Sequence, residues 1–464
     1  MKASIHHLVH LYHRAGFGIN PDLLHSLEGQ SLPLVVNHLF ADSGSFKGIY
    51  ELEDERPRKG DVGSLKTILL ALKSKEQQEL LNQVWIKKMV QSKAVLRERM
   101  TLFWHDHFAT NVPFALLLQE QNNTLRRNAL GNFRQMLHDV AKDPAMIIYL
   151  NNQQNRKKAP NENFAREVME LFTLGEGGGY TENDIKEAAR CFTGWHVSGR
   201  GEFEFNARQY DDGEKTIFGK TGNWTGEQVL DMLLGNPQTA TYICSKVYTY
   251  FVNPVVHEKR VNALAKEFFE SNYDIKHLME LVLTSSWFYD EENIGVKIKS
   301  PVDLLTGYQN HGDLDVIQPK SMIRLQKQLG QVLFFPPNVA GWEGNRAWID
   351  SSSLLLRMRL PLVVFDGEDP LSSWGSTKQE RREWKKERKI VRFRATGSLK
   401  SLANSFAIAK KEKLKDLIDY LLPASKKSID MQYLQQAWDQ EKSFESKVAV
   451  VVPMIMALPE YQLC

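Results

Sequence analysis

The sequence predicts a mainly α protein, a single large helical domain with one or two small β-hairpins. Three observations lead there. Apolar residues recur at helical spacing through long stretches without Pro or Gly. Short alternation with Gly and Asp-Gly turn signals is confined to residues 195–218. A hydrophobic fraction of 42%, a charged fraction of 25% and ten Trp mark a chain that folds.

Taken in order, Leu80, Val84, Trp85, Met89, Leu96, Met100, Phe103 and Trp104 predict one or two long amphipathic helices between residues 75 and 109. Pro113 stops them near Asn111. A second helical stretch covers 116–141, and a third starts at Pro160-Asn161, runs through Phe164, Val168, Leu171 and Phe172, and ends in the glycines of 175–179. Thr181 followed by Asp184 has the form of a capping box for a helix that closes at Gly194. The alternation Glu202-Phe203-Glu204-Phe205 and the turn signals Gly199, Gly201 and Asp212-Gly213 predict the hairpins. Helices resume over 243–252, 261–269, 275–283 and 301–308, the last with Pro301 at its first position. Two prolines and a glycine make 335–342 an aromatic-rich loop.

The 59 basic and 56 acidic residues leave a net charge of +3, so no whole-molecule field draws the chain to nucleic acid or an anionic membrane. Three scattered cysteines, Cys191, Cys244 and Cys464, form neither a disulfide framework nor a zinc spacing. His6, His7, His10, His13 and Arg14 interrupt the N-terminal stretch where an export signal needs an apolar run, and the expected compartment is the cytoplasm. No window approaches a membrane-spanning length of apolar residues.

Chemistry concentrates in Trp104-His105-Asp106-His107-Phe108, because His carries protons near neutral pH and ligates metals. Residues two apart on a helix point about 200° apart, so His105 and His107 do not bind one ion together without unwinding; one faces a site and the other packs or reaches solvent. Glu98 shares the face of His105 but lies roughly 10 Å along the axis, which suits an ion-pair partner better than a co-ligand. Glu167 and Glu170, three apart, put two carboxylates on one helix face. The candidate catalytic set is therefore His105, His107, Glu167 and Glu170, with a divalent metal ion left open as cofactor and its identity unknown. The bland reading of the same residues is a satisfied core histidine with carboxylates paired to Arg166 or Arg190.

Gly177-Gly178-Gly179 lacks the Lys-Ser/Thr of a phosphate loop and reads as a turn. Neither a Gly-x-Ser-x-Gly elbow, a dinucleotide fingerprint nor a His-Glu-x-x-His motif occurs. The basic run 376–394, with Trp384 and Phe393, has the cations and aromatics of a nucleic-acid surface. Glu380, Glu383 and Glu387 interleave with it at helical spacing and favour a solvated, internally paired helix.

Several motifs in order resemble the bacterial family catalogued as domain of unknown function 1800. They are His10-Leu11-Tyr12-His13-Arg14-Ala15-Gly16-Phe17-Gly18, Phe103-Trp104-His105-Asp106-His107-Phe108-Ala109, Glu162 to Glu167, Leu174-Gly175, Gly179-Tyr180-Thr181, Ala188-Ala189-Arg190 and Thr193-Gly194-Trp195. Lys299-Ser300-Pro301, Pro336 to Val339, Gly341-Trp342 and Pro459 to Leu463 complete the series. The resemblance implies one continuous domain over residues 1–464, with a charged variable excursion at about 370–412. It names no catalytic residue. Similar sequences often have His at the positions of Tyr210 and Asn236, so a metal site built on either would be lost here. Many such proteins look exported and are encoded near sulfatase-like proteins, which makes an extracytoplasmic location the alternative and a sulfatase-like protein the implied partner.

Two functions follow. In the first, an enzyme combines His105 or His107 with Glu167 or Glu170, while Arg14, Trp195 or Trp342 contacts substrate, because Arg, Trp and Gly motifs in turns are where sites are built on a rigid frame. In the second, a non-catalytic helical binding or scaffold protein uses the Gly-Trp loops as packing corners. Reaction, substrate and oligomeric state are not encoded in any motif.

Overall fold

The computed structural model describes residues 2–53, 65–312, 315–316, 319–366, 395–396, 398–423 and 429–464. These residues are mainly helical, with two short antiparallel hairpins and one two-residue pairing between distant segments. The hairpins join Trp195–Val197 to Phe203–Phe205 and Lys215–Ile217 to Lys220–Gly222, where the sequence alternates. The third pair sets Asp315–Val316 against Ala395–Thr396. The charged run 376–394 lies outside the described residues.

Local chemistry sets most boundaries. The long pattern of 75–109 resolves into Leu65–Gln91 and Val95–His107, separated by a short turn. The stretch 116–141 is also two helices, Ala115–Asn128 and Phe133–Ala141. Gly131 lies in the break, and the Asn132 side chain accepts the Gln135 N–H to start the second helix. Thr181 and Asp184 form the reciprocal capping box of Glu182–Cys191. Ser300 and Asp303 do the same for Pro301–His311, with Pro at its start.

The third helix departs from regularity. Asn163–Glu167 is α, but Val168–Thr173 widens into a π-helical turn in which the Leu174 N–H reaches the Met169 carbonyl at 2.9 Å. Widening frees main-chain carbonyls: the Tyr242 hydroxyl donates to Leu171 at 3.1 Å, and His107 donates to Phe172.

Buried apolar residues form one cluster that includes side chains from Ala3 to Tyr461. Val95–His107 is buried on nearly every side despite six charged or ionisable residues. Each of those six is tied to another part of the chain. Arg97 donates to the carbonyls of Ser43 and Arg126 at 2.8 Å. Glu98 receives the Arg126 guanidinium at 2.9 Å and the Trp85 indole N–H at 3.0 Å. Arg99 donates to the Gly16 carbonyl at 2.7 Å and pairs with Asp303 at 2.5 Å. His105, Asp106 and His107 hold the three segments described next. Burying so many polar groups is tolerable only because each finds a partner.

Candidate functional site

Successive helical residues point about 100° apart, so His105, Asp106 and His107 face three directions. His105 is buried and its Nε2 accepts the Phe334 N–H at 3.1 Å, which places the ring proton on Nδ1. Its ring packs on Trp85 and Phe334, and burial lowers its pKa to about 3. His107 is buried among Phe103, Phe172 and Tyr242, donates from Nε2 to the Phe172 carbonyl at 3.2 Å, and is held well below the ordinary histidine range by burial. The two histidines diverge, as helix geometry requires.

The helix of Glu167 and Glu170 therefore meets His107 through its backbone. Glu170 accepts Arg166 at 3.2 Å, in a group where Arg166 also reaches Glu162 and Glu182. Glu167 is half-buried, and burial followed by the neighbouring Glu170 charge raises its pKa. Trp195 is buried at the first hairpin, edge-on to Phe192 and Phe203, with the Lys142 ammonium 5.5 Å from its ring. Among the described residues no group of three or more His, Cys, Asp or Glu side chains is arranged to hold a metal ion.

Asp106 faces elsewhere. Together with Phe103 and Leu102, one turn back on the same helix face, and Arg99, two turns back, it lines a cavity of about 450 Å³. That volume suits a small molecule. Arg14 and Trp342, both singled out in the sequence, line it as well, with Lys246, Lys297, Asp303, Asn345 and Trp348. The loop expected at 335–342, extended to Asn345, lines the cavity and runs between two non-glycine residues with left-handed backbone. Phe334 has φ +69°, held by the bond to His105, and Asn345 has φ +45°. Such backbone persists only where surroundings over-determine it, and it clusters at functional sites.

Gly341 shows why this loop sits on Asp106. Its φ is +80°, and a Cβ there would overlap the Asp106 carboxylate and lie 2.5 Å from the Asp106 carbonyl oxygen. Only glycine permits that approach. The next residue, Trp342, donates its N–H to Asp106 Oδ1 at 2.8 Å.

Burial pushes the Asp106 carboxyl up to about 6, against the opposing pull of the Trp342 N–H, Lys246 and Lys297. Lys297 is lowered to about 7, first by burial and then by the Arg14 charge, and its ammonium donates to the carbonyls of Thr249 and Tyr250. His13, on the same wall, is held well below the ordinary range by burial and by Lys299, and is neutral at pH 7. The Arg99–Asp303 pair lies in the wall and keeps Asp303 ionised. The arrangement offers a carboxyl raised by burial toward neutral pH, cations near it, and the buried indoles of Trp342 and Trp348 in its lining.

The sequence points to the segment of Asp106 through the histidines on either side of it, whereas the cavity is lined by Asp106 with Arg99, Lys246, Lys297 and Asp303. A usable signal was present: Arg99, Leu102, Phe103 and Asp106 stand at i, i+3, i+4 and i+7. Lys246 and Lys297 come from remote segments and carry no such mark.

No helix among the described residues is long and apolar enough to cross a membrane. Neither a curated protein nor a solved structure matches the chain. A family model described as Protein of unknown function (DUF1800) matches residues 10–463, nearly the whole chain, and the protein belongs to that family.

Proposed function

We propose that the cavity is the working site of an enzyme acting on a small polar molecule, with Asp106 as the group that takes and returns a proton. The observation that carries this reading is Asp106 itself, a carboxyl lifted to about 6 by burial, fixed by one main-chain N–H and open to a cavity of about 450 Å³. Carboxyls tuned toward neutral pH in a cleft suit general acid–base work, which typically contributes about 10²–10⁴-fold to a rate.

In this reading Trp342 and Trp348 flank substrate and Arg14 holds its polar end, while His105 and His107 are positioning residues. His105 fixes the Phe334 end of the covering loop, and His107 ties the helix to the π-helical turn. Asp106 acts as base in its ionised form, so the rate rises with pH through about 6.

The test is a turnover screen of the full chain against small polar metabolites, followed by Asp106→Asn. A loss of about 10²–10⁴-fold in kcat, with the fold intact, is expected. Wild-type turnover by the variant refutes the role of Asp106.

A further inference from the structure

We propose that the cavity takes an oxyanion headgroup, that of a phosphate monoester, held by Arg14, Lys246 and Lys297. The proposal rests on the reading of the cavity as the working site and adds the substrate class.

The charge inventory points there first. Arg99 is neutralised by Asp303 in the wall. What remains inside is three cations, Arg14, Lys246 and Lys297, facing the carboxylate of Asp106 and the negative charge at Cys464, with the exposed Glu343 also in the lining. Asp106 and Lys246 influence each other's charge without forming an ion pair. An anion offsets the positive charge that remains, and three separate donor groups suit a tetrahedral oxyanion better than a two-oxygen carboxylate.

The donors are also in place. Arg14 is 3% exposed, yet only its Nη2 is used, donating to the Asn293 carbonyl at 2.9 Å; Nε and Nη1 have no partner. A buried guanidinium with unused N–H groups is unfavourable until an acceptor completes it, and the planar fork of Arg matches an oxyanion. Lys297 gives two of its three protons to main-chain carbonyls, which leaves one proton for a ligand. Behind it the Lys299 ammonium, 3.6 Å from the centre of the Tyr461 ring, adds to the positive potential. The buried side-chain oxygen of Asn345 is also without a partner and lines the cavity, where it can accept from a hydroxyl on the body of the molecule.

Isothermal titration of the full chain with inorganic phosphate, sulfate and acetate tests the assignment. Phosphate and sulfate are expected to bind at one saturable site, at least about tenfold tighter than acetate. Lys246→Gln, a change at a partly exposed side chain, should weaken phosphate by about tenfold, and Arg14→Lys should weaken it while keeping the charge. Asp106→Asn should bind phosphate as tightly as the wild type or tighter, since it removes the opposing negative charge. Absence of saturable phosphate binding, equal affinity for acetate, or unchanged affinity in both cation variants overturns the proposal. Tight phosphate binding with wild-type turnover by Asp106→Asn refutes the role of Asp106 and leaves the headgroup assignment standing. Lost turnover in that variant without phosphate binding refutes the assignment alone.

Discussion

Replacing Asp106 by Asn should make the protein more stable at neutral pH while removing its function. The carboxyl titrates near 6 in the fold against an ordinary 3.8, so the folded state holds the proton more tightly than the unfolded chain. Below about pH 4 both states are protonated and the wild type carries no penalty. As pH rises from about 4 to 6 the folded state must either keep a proton that the unfolded chain releases or bury a charge, and above 6 the full penalty is present. The difference corresponds to roughly 3 kcal/mol, a ceiling because the carboxylate is partly open to cavity water. Asn keeps the shape and an oxygen to accept the Trp342 N–H, and the charge assistance that this bond loses is already contained in the shift to about 6. A net gain of about 1–2 kcal/mol is expected above pH 7 and none near pH 4. Urea unfolding of both proteins across this range measures it. An Asn variant less stable than the wild type at pH 7.5, or a gain independent of pH, would refute the account of Asp106 as a strained carboxylate held for chemistry.

Other consequences are equally specific. Glu98→Gln breaks the buried pair with Arg126 and leaves a guanidinium uncompensated; a loss of about 3–5 kcal/mol in denaturant unfolding is expected, with part recovered when Arg126→Met is added. Gly341→Ala forces a left-handed residue against Asp106, and should cost about 2 kcal/mol or more and abolish ligand binding, as followed by thermal unfolding and calorimetry. The His105 ring, held to about 3, should show no imidazole titration by NMR between about pH 5 and 8; a midpoint in that range would contradict its burial.

Much of the architecture was legible because it is local. Thr181 with Asp184, Pro301 after Ser300, and the Pro-Pro and Gly of 335–342 act through main-chain geometry within a few residues, so the string contains the cause. The site was legible only as a neighbourhood. Helix geometry separates His105, Asp106 and His107 by angle, but which direction opens onto a cavity depends on what packs there: Phe334 on one side, Phe172 on another, and on the third a loop whose glycine lets it approach without sealing the space. The histidines drew attention as the residues with the most versatile chemistry, yet neutral imidazoles are also well suited to joining buried main-chain groups, and both do so.

That pattern accounts for the density of ionisable residues on one buried helix. Arg97, Glu98, Arg99, His105 and His107 each fix Val95–His107 to another part of the chain, and sliding or rotating the helix by one residue would break all five attachments at once. Arg99 matters most for the cavity, because it grips the Gly16 carbonyl, two residues beyond Arg14, and Asp303, six residues beyond Lys297. One guanidinium thus references two of the three cation-bearing segments to the helix that carries Asp106. A carboxyl and its facing cations drawn from four distant parts of the chain need such a common reference, since a misplacement of about 1 Å can lower a rate by two orders of magnitude. The buried polar residues of this helix are therefore best understood as the frame that holds one carboxyl in register with a positive cavity.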